Sequence, residues 1–448
     1  MDYLIAVFNK YDIRGSYPDE IDDEFSYKIG RTAGTYCKEN FENHLIAVGM
    51  DTRKSSKTIK ENLIDGLNSA GVDVIDIGKA TTDKTALAGN YYNCAFSIMV
   101  TASHHPIDHN GFKFMYEKGN GFSNKEMEKI KKIFIGDEFI SGKGNRTDKT
   151  EEFDKIYEQK IESALEKYID TGKLKGLNVV ADCCNSFASR HLINILEKYK
   201  CNVVRVNCKI KSDDASFEPK PTEKNRQNIA DMVKKTKADI GIGVDLDADR
   251  IFAFDSTGRW IDGHEIFCLL SETIGSKKIV ASVDTSSMLQ EHMRDAKVIR
   301  TKIGDIFVSE KAIEMDADFS GEPNGHYAFP KFCKYNSGIF SGLMLCSIAK
   351  EIPKMRKNLP KYHNISKTIT HKSHREKEEA MTKIKAKARE KYEVVSELCG
   401  IKFRYNDTVF LIRASGTSPV IRVMAENKDK KKLQEDKEIL LDQLFNTC

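Results

Sequence analysis

The stretch LIAVGMDTRKSSKTIKENLIDGLNSAGVDVIDI, residues 45–77, carries the pattern that decides the fold. Leu45–Val48 is a short apolar run that leads to Asp51 and a cluster of hydroxyl and basic residues. Apolar positions at helical spacing continue until Gly71, and a second apolar run, Val72–Ile77, follows. A strand, a helix that begins at capping residues and a second strand form a βαβ unit. The stretch therefore predicts an α/β fold.

The same order of elements occurs twice more, in residues 177–206 and 279–301. Three copies at wide, irregular spacing predict three related α/β domains with mixed sheets rather than a short-period solenoid. The remaining segment has a helix, short strands (one of them over Val394–Ile401) and a terminal helix, which predicts a smaller α+β domain. Tyr362–His374 has little apolar periodicity and marks its boundary. The predicted domains are residues 1–150, 151–256, 257–368 and 369–448.

The composition is that of a soluble globular protein, with 40% hydrophobic and 31% charged residues among 448. The net charge of +4, from 71 basic and 67 acidic residues, gives no reason to expect a nucleic acid partner. No apolar run approaches the roughly 20 residues that cross a bilayer, and Met1–Lys10 lacks the pattern of a secretory signal. The eleven cysteines include no C-x-x-C pair, so we expect buried, reduced thiols in a cytoplasmic protein.

A serine loop follows the apolar residues that end at Val100, in the sequence VTASHHPIDHNGFK, residues 100–113. The sequence predicts that Ser103 lies on a tight loop at the carboxyl end of a strand, where open α/β sheets bind ligands. Asn110-Gly111 predicts a turn that brings Lys113 back towards the serine. With His104 beside it, Ser103 is a candidate covalent group carrier; a solvated turn with ordinary histidines is the alternative.

An acidic loop, Asp245–Arg250, alternates carboxylates with small or apolar residues after another apolar run. Like charges so close repel each other unless a hard cation neutralises them, and Mg²⁺ prefers oxygen ligands. Asp245, Asp247 and Asp249 are therefore candidate magnesium ligands. The alternatives are an aspartyl phosphatase nucleophile at Asp245 and a merely solvated acidic turn.

Two further loops carry groups that suit a phosphorylated sugar. In Gly321–His326, two glycines let the backbone turn while a carboxylate, an amide and an imidazole project to the same side, a set of partners that suits sugar hydroxyl groups. An ordinary turn is the alternative. In Arg413–Pro419, a guanidinium and three hydroxyls surround a glycine, as a phosphate-binding nest requires. A generic polar hairpin is the alternative.

With four such loops in this order, the chain resembles the α-D-phosphohexomutase family over its whole length. The family's T-A-S-H-N-P, D-G-D-x-D-R, G-E-x-S-G-H and R-x-S-G-T-x-P motifs correspond to Thr101–Pro106, Asp245–Arg250, Gly321–His326 and Arg413–Pro419. Tyr11–Gly15 and Asp51–Ser56 match as well. The resemblance implies that the four domains surround a central cleft. We call the four motifs the serine, acidic, sugar and phosphate loops.

The resemblance implies a role for each site residue. Ser103 would carry a phosphoryl group whose oxygen, with the three aspartates, binds one Mg²⁺. The implied catalytic residues are Ser103, Arg14, Lys113 and His104. The implied substrate-binding residues are Tyr11, Arg250, Lys302, Glu322, Asn324, His326, Arg413, Ser415, Gly416 and Thr417. Hexose 1,6-bisphosphate would be both intermediate and activator, and the protein would be a monomer or homodimer.

The expected reaction interconverts hexose 1- and 6-phosphates, with mannose or glucose phosphate as the substrate. The dipeptide Gly304-Asp305 favours glucosamine phosphate instead, since it looks like the corresponding residues of phosphoglucosamine mutases. An aspartyl phosphatase and a non-catalytic sugar-phosphate-binding relative are the rival hypotheses. Leu246, which replaces the glycine of the family's acidic loop, is expected to restrict the backbone if that position needs a positive φ.

Overall fold

The computed structural model describes residues 6–210, 218–219, 222–416 and 418–445. The strands of its first two units are β1 Ile13–Ser16, β2 Leu45–Met50, β3 Asp73–Lys79, β4 Phe96–Val100, β5 His109–Tyr116, β6 Arg146–Asp148, β7 Asn178–Asp182, β8 Asn202–Val206, β9 Ile240–Val244, β10 Ile251–Asp255 and β11 Trp260–Ile261. The later strands are β12 Lys278–Ser282, β13 Lys297–Thr301, β14 Phe319–Gly321, β15 Tyr327–Ala328, β16 His363–Thr370, β17 Glu393–Ser396, β18 Ile401–Tyr405, β19 Thr408–Ala414 and β20 Val420–Asn427.

Helices cover the sheets and connect the units. They are α1 Asp23–Asn40, α2 Ser56–Ser69, α3 Thr82–Tyr91, α4 Asn124–Gly136, α5 Thr150–Tyr168, α6 Ala188–Lys198, α7 Glu223–Thr236, α8 Gly263–Thr273, α9 Ser287–His292, α10 Asp305–Glu314, α11 Gly338–Ser347, α12 Ile352–Asn358, α13 His374–Lys391 and α14 Lys430–Phe445, with a short 3₁₀ helix at Thr171–Leu174.

The first three units are built on mixed sheets, as the βαβ pattern predicts. Their strand orders are β1-β5-β4-β2-β3-β6, β11-β10-β9-β7-β8 and β13-β12-β14-β15. In each unit the βαβ strands pair in parallel, as β2 with β3, β7 with β8 and β12 with β13. Antiparallel strands complete each sheet at one edge. The residues 45–77 thus form β2, α2 and β3.

The fourth unit is a wholly antiparallel sheet in the order β16-β20-β19-β18-β17, packed on α13 and α14. Strand β16 was not predicted, because most of its side chains are exposed and backbone pairing with β20 forms it. The predicted boundary at residue 368/369 falls inside β16. The single strand predicted over Val394–Ile401 is also wrong, because Gly400, at a φ of 88°, separates β17 from β18.

One apolar core runs through the first three units, and the first unit has a second core of its own, whereas the fourth unit has only a separate core. The shared core joins Ile77 of the first unit to Val179 of the second and Phe319 of the third. The fourth unit's core is centred on α13 and β18 to β20, with Ile384 and Phe410 among its buried side chains. Apolar packing therefore couples the first three units to one another more strongly than it couples them to the fourth.

Within the described residues, no helix is long and apolar enough to cross a membrane. The first five residues of the Met1–Lys10 segment lie outside the described chain. The ten cysteines that the structure describes are free, and eight of them are buried, which agrees with the predicted reduced thiols.

Candidate active site

A cleft of about 670 Å³ lies where the carboxyl ends of the parallel strands of the first three units meet the fourth unit. The serine loop follows β4, the acidic loop follows β9 and the sugar loop begins at the end of β14, the position at which open α/β sheets bind ligands. The predicted site residues that line the cleft are Tyr11, Arg14, Ser103, Lys113, Asp249, Arg250, His326 and Gly416.

Ser103 occupies a strained position at the tip of the serine loop. It is buried and has a left-handed φ of 53°, a conformation that side chains other than those of glycine and asparagine rarely adopt and that clusters at functional sites. Its N–H donates to the Thr101 hydroxyl at 2.8 Å, and its Oγ lies 3.2 Å from Nδ1 of His104. The loop thus presents one hydroxyl in a fixed direction.

The turn predicted at Asn110-Gly111 is not a turn, because both residues lie in β5, which pairs with β1. Gly111 is required there by a close approach: a Cβ atom would lie 2.0 Å from the carbonyl oxygen of Ile13. Strand β5 still brings Lys113 to the cleft, as predicted.

Arg53 holds the serine loop in place, a role that sequence reasoning did not assign. Its guanidinium donates to the carbonyl groups of Ser103 at 2.7 Å, His105 at 2.8 Å and His109 at 3.0 Å, and also to that of Pro106. It is fully buried and pairs with Asp51 at 3.1 Å. The Asp51–Ser56 motif matched the family in the sequence, but only the fold shows that its arginine supports the serine loop.

The acidic loop concentrates three buried carboxylates. Oxygen atoms of Asp245, Asp247 and Asp249 lie within 4.8 Å of one another. Asp245 Oδ2 and Asp247 Oδ1 are buried without a hydrogen-bond partner among the described residues. Unpartnered carboxylate oxygens in one tight cluster suit a hard divalent cation such as Mg²⁺, so the donor set fits the predicted ion.

The pKa values of Asp245 and Asp249 are shifted in opposite directions. Burial and the other two aspartates raise the pKa of Asp245 well above its usual range. Burial alone would also raise the pKa of Asp249, but Lys113 and His326 hold it well below its usual range. Lys113 Nζ lies 2.6 Å from Asp247 and 2.7 Å from Asp249. Among the described residues, the ion-pair partner of Asp245 is Arg250, at 3.7 Å, so Asp245 is the carboxylate whose charge a bound metal ion would stabilise most.

The backbone restriction expected at Leu246 does not arise there. The left-handed residue of the acidic loop is Ala248, with a φ of 56°, whereas Leu246 is a buried residue without positive φ. Thr82, at the first position of α3, is a further residue that the sequence did not indicate. Its hydroxyl donates to Asp247 Oδ2 at 2.9 Å, and its N–H donates to the Asp247 carbonyl at 3.0 Å.

Two basic side chains lie near Ser103: Arg14, which is protonated, and His104, which is neutral. Burial opposes the charge of Arg14, but Asp12 and Asp247 raise its pKa; the guanidinium pairs with Asp12 at 2.6 Å and donates to the carbonyl of Ala102 at 3.4 Å. Burial and the cations Arg250 and Arg14 lower the pKa of His104 to about 2. His104 is therefore a neutral hydrogen-bonding partner for the serine.

The sugar loop is tied to the acidic loop through His326. Its Nε2 lies 3.2 Å from Asp249 and 3.0 Å from Nε of Arg250. Burial would lower the pKa of His326, but Asp249 raises it to about 9. Glu322 accepts from the N–H of Gly304 at 2.8 Å. This buried carboxylate anchors the loop after β13 and does not line the described cleft.

The remaining predicted residues lie around the cleft rather than in its wall. Asn324 lines a neighbouring pocket of about 240 Å³, and His104 and Asp245 line the same pocket. Lys302 is exposed, with Nζ 5.5 Å from the ring centre of Phe307.

In the phosphate loop, Gly416 reaches the cleft and Ser415 is buried behind it. The carbonyl of Ser415 accepts from the buried Lys377 at 2.7 Å. Arg413 Nε is buried without a hydrogen-bond partner among the described residues. Thr417 lies outside the described residues.

Models of four domain families match successive parts of the chain. They are the phosphoglucomutase/phosphomannomutase alpha/beta/alpha domains I, II and III, at residues 6–141, 155–258 and 262–364, and the C-terminal domain, at residues 373–443. The chain belongs to the phosphoglucomutase/phosphomannomutase family. The resemblance read from the four loops is thereby confirmed.

Similar members of this family carry two kinds of name. A phosphoglucomutase/phosphomannomutase of Thermococcus kodakarensis is 33% identical over 96% of both chains. A phosphoglucosamine mutase of Methanocaldococcus jannaschii is 32% identical over 92% of this chain and 93% of its own. A solved family protein from Burkholderia thailandensis superposes with a TM-score of 0.86 over 98% of both chains at 24% identity, which shows the shared fold.

One carboxylate of the cleft has a hydroxyl partner and no ion pair within the described residues. Asp305, the first residue of α10, is half-buried and lines the cleft. Its Oδ2 accepts a hydrogen bond from the hydroxyl of Tyr335 at 2.8 Å. Among the described residues no cation pairs with it, whereas Arg14 and Lys113 have carboxylate partners.

Proposed function

We propose that this chain is a magnesium-dependent phosphohexomutase that interconverts hexose 1- and 6-phosphates through a phosphoserine at Ser103 and a hexose 1,6-bisphosphate. The observation that carries the proposal is the meeting in one cleft of a strained serine, two cations and the end of a three-carboxylate cluster. Phosphoryl transfer depends on in-line positioning and charge neutralisation, which these groups supply.

In this proposal, the phosphoryl group moves between Ser103 Oγ and a sugar hydroxyl oxygen: one P–O bond forms as the other breaks, and the proton of the attacking hydroxyl ends on the oxygen that leaves. Arg14 and Lys113 remain protonated and stabilise the charge on the moving oxygens. His104 holds the serine oxygen through Nδ1. A Mg²⁺ ion held by Asp245, Asp247, Asp249 and the phosphoserine would neutralise further charge.

The second half-reaction requires the bisphosphate to turn over and return its other phosphate to Ser103. Gly416 stands on a unit that has its own core, so a phosphate grip there can adjust to either orientation of the sugar. Arg413 and Ser415 are assigned to that grip, and His326, which lines the cleft, to the sugar hydroxyls. Glu322 and Asn324, which accept from the N–H groups of Gly304 and His326, hold the sugar loop in shape around it.

The decisive experiment is intact mass and peptide mapping after incubation with glucose 1,6-bisphosphate and Mg²⁺. We expect one phosphate on Ser103, and we expect Ser103→Ala to lower mutase turnover by at least about a thousandfold while leaving the fold intact. Phosphate on Asp245 with release of free phosphate would support the phosphatase instead. A folded Ser103→Ala protein with near-normal turnover would refute the carrier role.

Asp305 favours glucosamine phosphate as a second candidate substrate beside mannose and glucose phosphate. A carboxylate without a cationic partner attracts the ammonium group of an amino sugar. It stabilises a neutral hydroxyl group at the same position much less. Relatives named phosphoglucosamine mutases, including that of Methanocaldococcus jannaschii, agree with this reading.

The substitution Asp305→Asn separates the candidates, because it removes the charge and keeps the shape. We expect kcat/KM for glucosamine 1-phosphate to fall about tenfold, the value of one charge-assisted hydrogen bond, and that for glucose 1-phosphate to change less than about twofold. Equal losses on both sugars would mean that Asp305 does not select the amino group.

A further inference from the structure

Two cysteines of the second unit lie side by side and have no part in the proposed mechanism. Cys183 directly follows β7, and Cys208 follows the neighbouring parallel strand β8, with Asp182 opposite Val206 in the register. The N–H of Cys183 and the thiol of Cys208 both donate to the carbonyl of Val206, each at 3.1 Å. The thiol of Cys208 also donates to the carbonyl of Ala181, two residues before Cys183, at 3.7 Å, so it lies over the end of β7.

The two thiols differ in exposure and in acidity. Cys183 is fully buried, whereas Cys208 is partly exposed. Interaction with the neighbouring Cys183 thiol lowers the pKa of Cys208, although burial opposes this. The same interaction and burial raise the pKa of Cys183. An accessible thiol of lowered pKa beside a second, resolving thiol is the arrangement that peroxides oxidise selectively.

We propose that Cys208 and Cys183 form a reversible redox pair. A hydroperoxide oxidises the Cys208 thiolate: an S–O bond forms, the O–O bond breaks, and the alcohol or water leaves with a proton. The sulfur of Cys183 then attacks the sulfenic sulfur, so that the S–S bond forms and the S–O bond breaks. The displaced hydroxide leaves as water with the proton of Cys183. Two electrons pass to the peroxide, and an added dithiol returns them.

Closing this bond strains the loop beside the serine site. Cys184 and Asn185, which follow Cys183, are both left-handed, with φ values of 54° and 50°. The carbonyl of Asn185 accepts from the hydroxyl of Thr52 at 3.2 Å, and the next residue, Arg53, holds the serine loop. Moving Cys183 towards Cys208 therefore displaces a support of Ser103.

The test is a non-reducing peptide map of the full chain treated with hydrogen peroxide. We expect a mass loss of about 2 Da, reversed by dithiothreitol, and a Cys183–Cys208 linked peptide. Cys399→Ser, which removes the other partly exposed described cysteine, should keep the linked peptide, and Cys208→Ser should abolish it. Sulfinic acid on Cys208 without a link, a link elsewhere or no mass change would overturn the proposal, and the wild-type map decides this even if a variant misfolds.

The coupling to the serine loop has its own readout. Peroxide should lower mutase turnover at least about tenfold in the wild type and in Cys399→Ser, since small misplacements of reacting groups cost this much, but not in Cys208→Ser. A linked protein with unchanged turnover would refute the coupling. The mass measurement needs no mutase activity, so failure of the proposed function remains distinguishable from failure of the redox pair.

Discussion

Two buried cations determine the shapes of the loops that meet in the cleft. Arg53 gathers the carbonyl groups of the serine loop, and Lys113 bridges Asp247 and Asp249 of the acidic loop. Carbonyl groups that converge on one point need donors arranged in a fork, which a guanidinium supplies and an ammonium does not. The strained φ of Ser103 persists because several hydrogen bonds hold the serine loop in this conformation at once.

Arg53→Lys is therefore expected to damage both stability and turnover. We expect the free energy of unfolding to fall by about 3 kcal/mol, since buried acceptors lose their donors, and kcat to fall about a hundredfold as Ser103 relaxes. Thermal unfolding and steady-state rates measure the two effects. Arg205→Lys, at an exposed pair with Glu197, is the control and should change neither. Turnover of Arg53→Lys within twofold of the wild type would contradict this role.

At the scale of elements, Lys402 of strand β18 reaches from the fourth unit to the third unit. Lys402 Nζ donates to the carbonyl of Val283 at 2.9 Å and lines an interface cavity of about 210 Å³ with Leu411 and Met424. Burial and the nearby Arg300 lower the pKa of Lys402 to about 8. The folded state thus disfavours the protonated lysine that the unfolded chain carries at neutral pH.

Lys402→Met should therefore stabilise the protein in a pH-dependent way. Below pH 8 the wild type bears the full cost of the buried ammonium, and the cost fades as pH rises from about 8 to the ordinary lysine pKa of 10.5. We expect a gain of about 2 kcal/mol at pH 7, after loss of one hydrogen bond, and a loss of about 1 kcal/mol at pH 11, where only the missing hydrogen bond counts. Urea unfolding measures it, with Lys367→Met on exposed β16 as control. An equal gain at both pH values would contradict the titration.

At the scale of the whole molecule, polar contacts orient the fourth unit. Glu426 of β20 accepts from the hydroxyl of Ser286 at 2.6 Å and from the N–H of Ser287 at 3.0 Å, at the start of α9. The fourth unit has a separate core, so this clamp helps to set how closely Gly416 approaches Ser103.

Glu426→Ala should loosen this orientation without touching the proposed reacting groups. We expect KM for the phosphosugar to rise about tenfold, equivalent to about 1.4 kcal/mol of binding free energy, with kcat within threefold. Steady-state kinetics distinguish the two parameters. Glu291→Gln, which removes a charge from the more exposed contact with Lys428 at the same interface, should have little effect. A fall in kcat with KM unchanged would place Glu426 in the chemical step instead.

The sequence by itself determined the three βαβ units, the four loops and the family, because apolar periodicity and loop composition are local properties of the chain. Only the tertiary structure decided the roles of Arg53 and Thr82, which act on partners far along the sequence. The same holds for β16, whose exposed side chains carry no periodicity, and for the positive φ at Ala248 rather than Leu246. Contacts between distant residues depend on how the units pack, and this packing has no local signal.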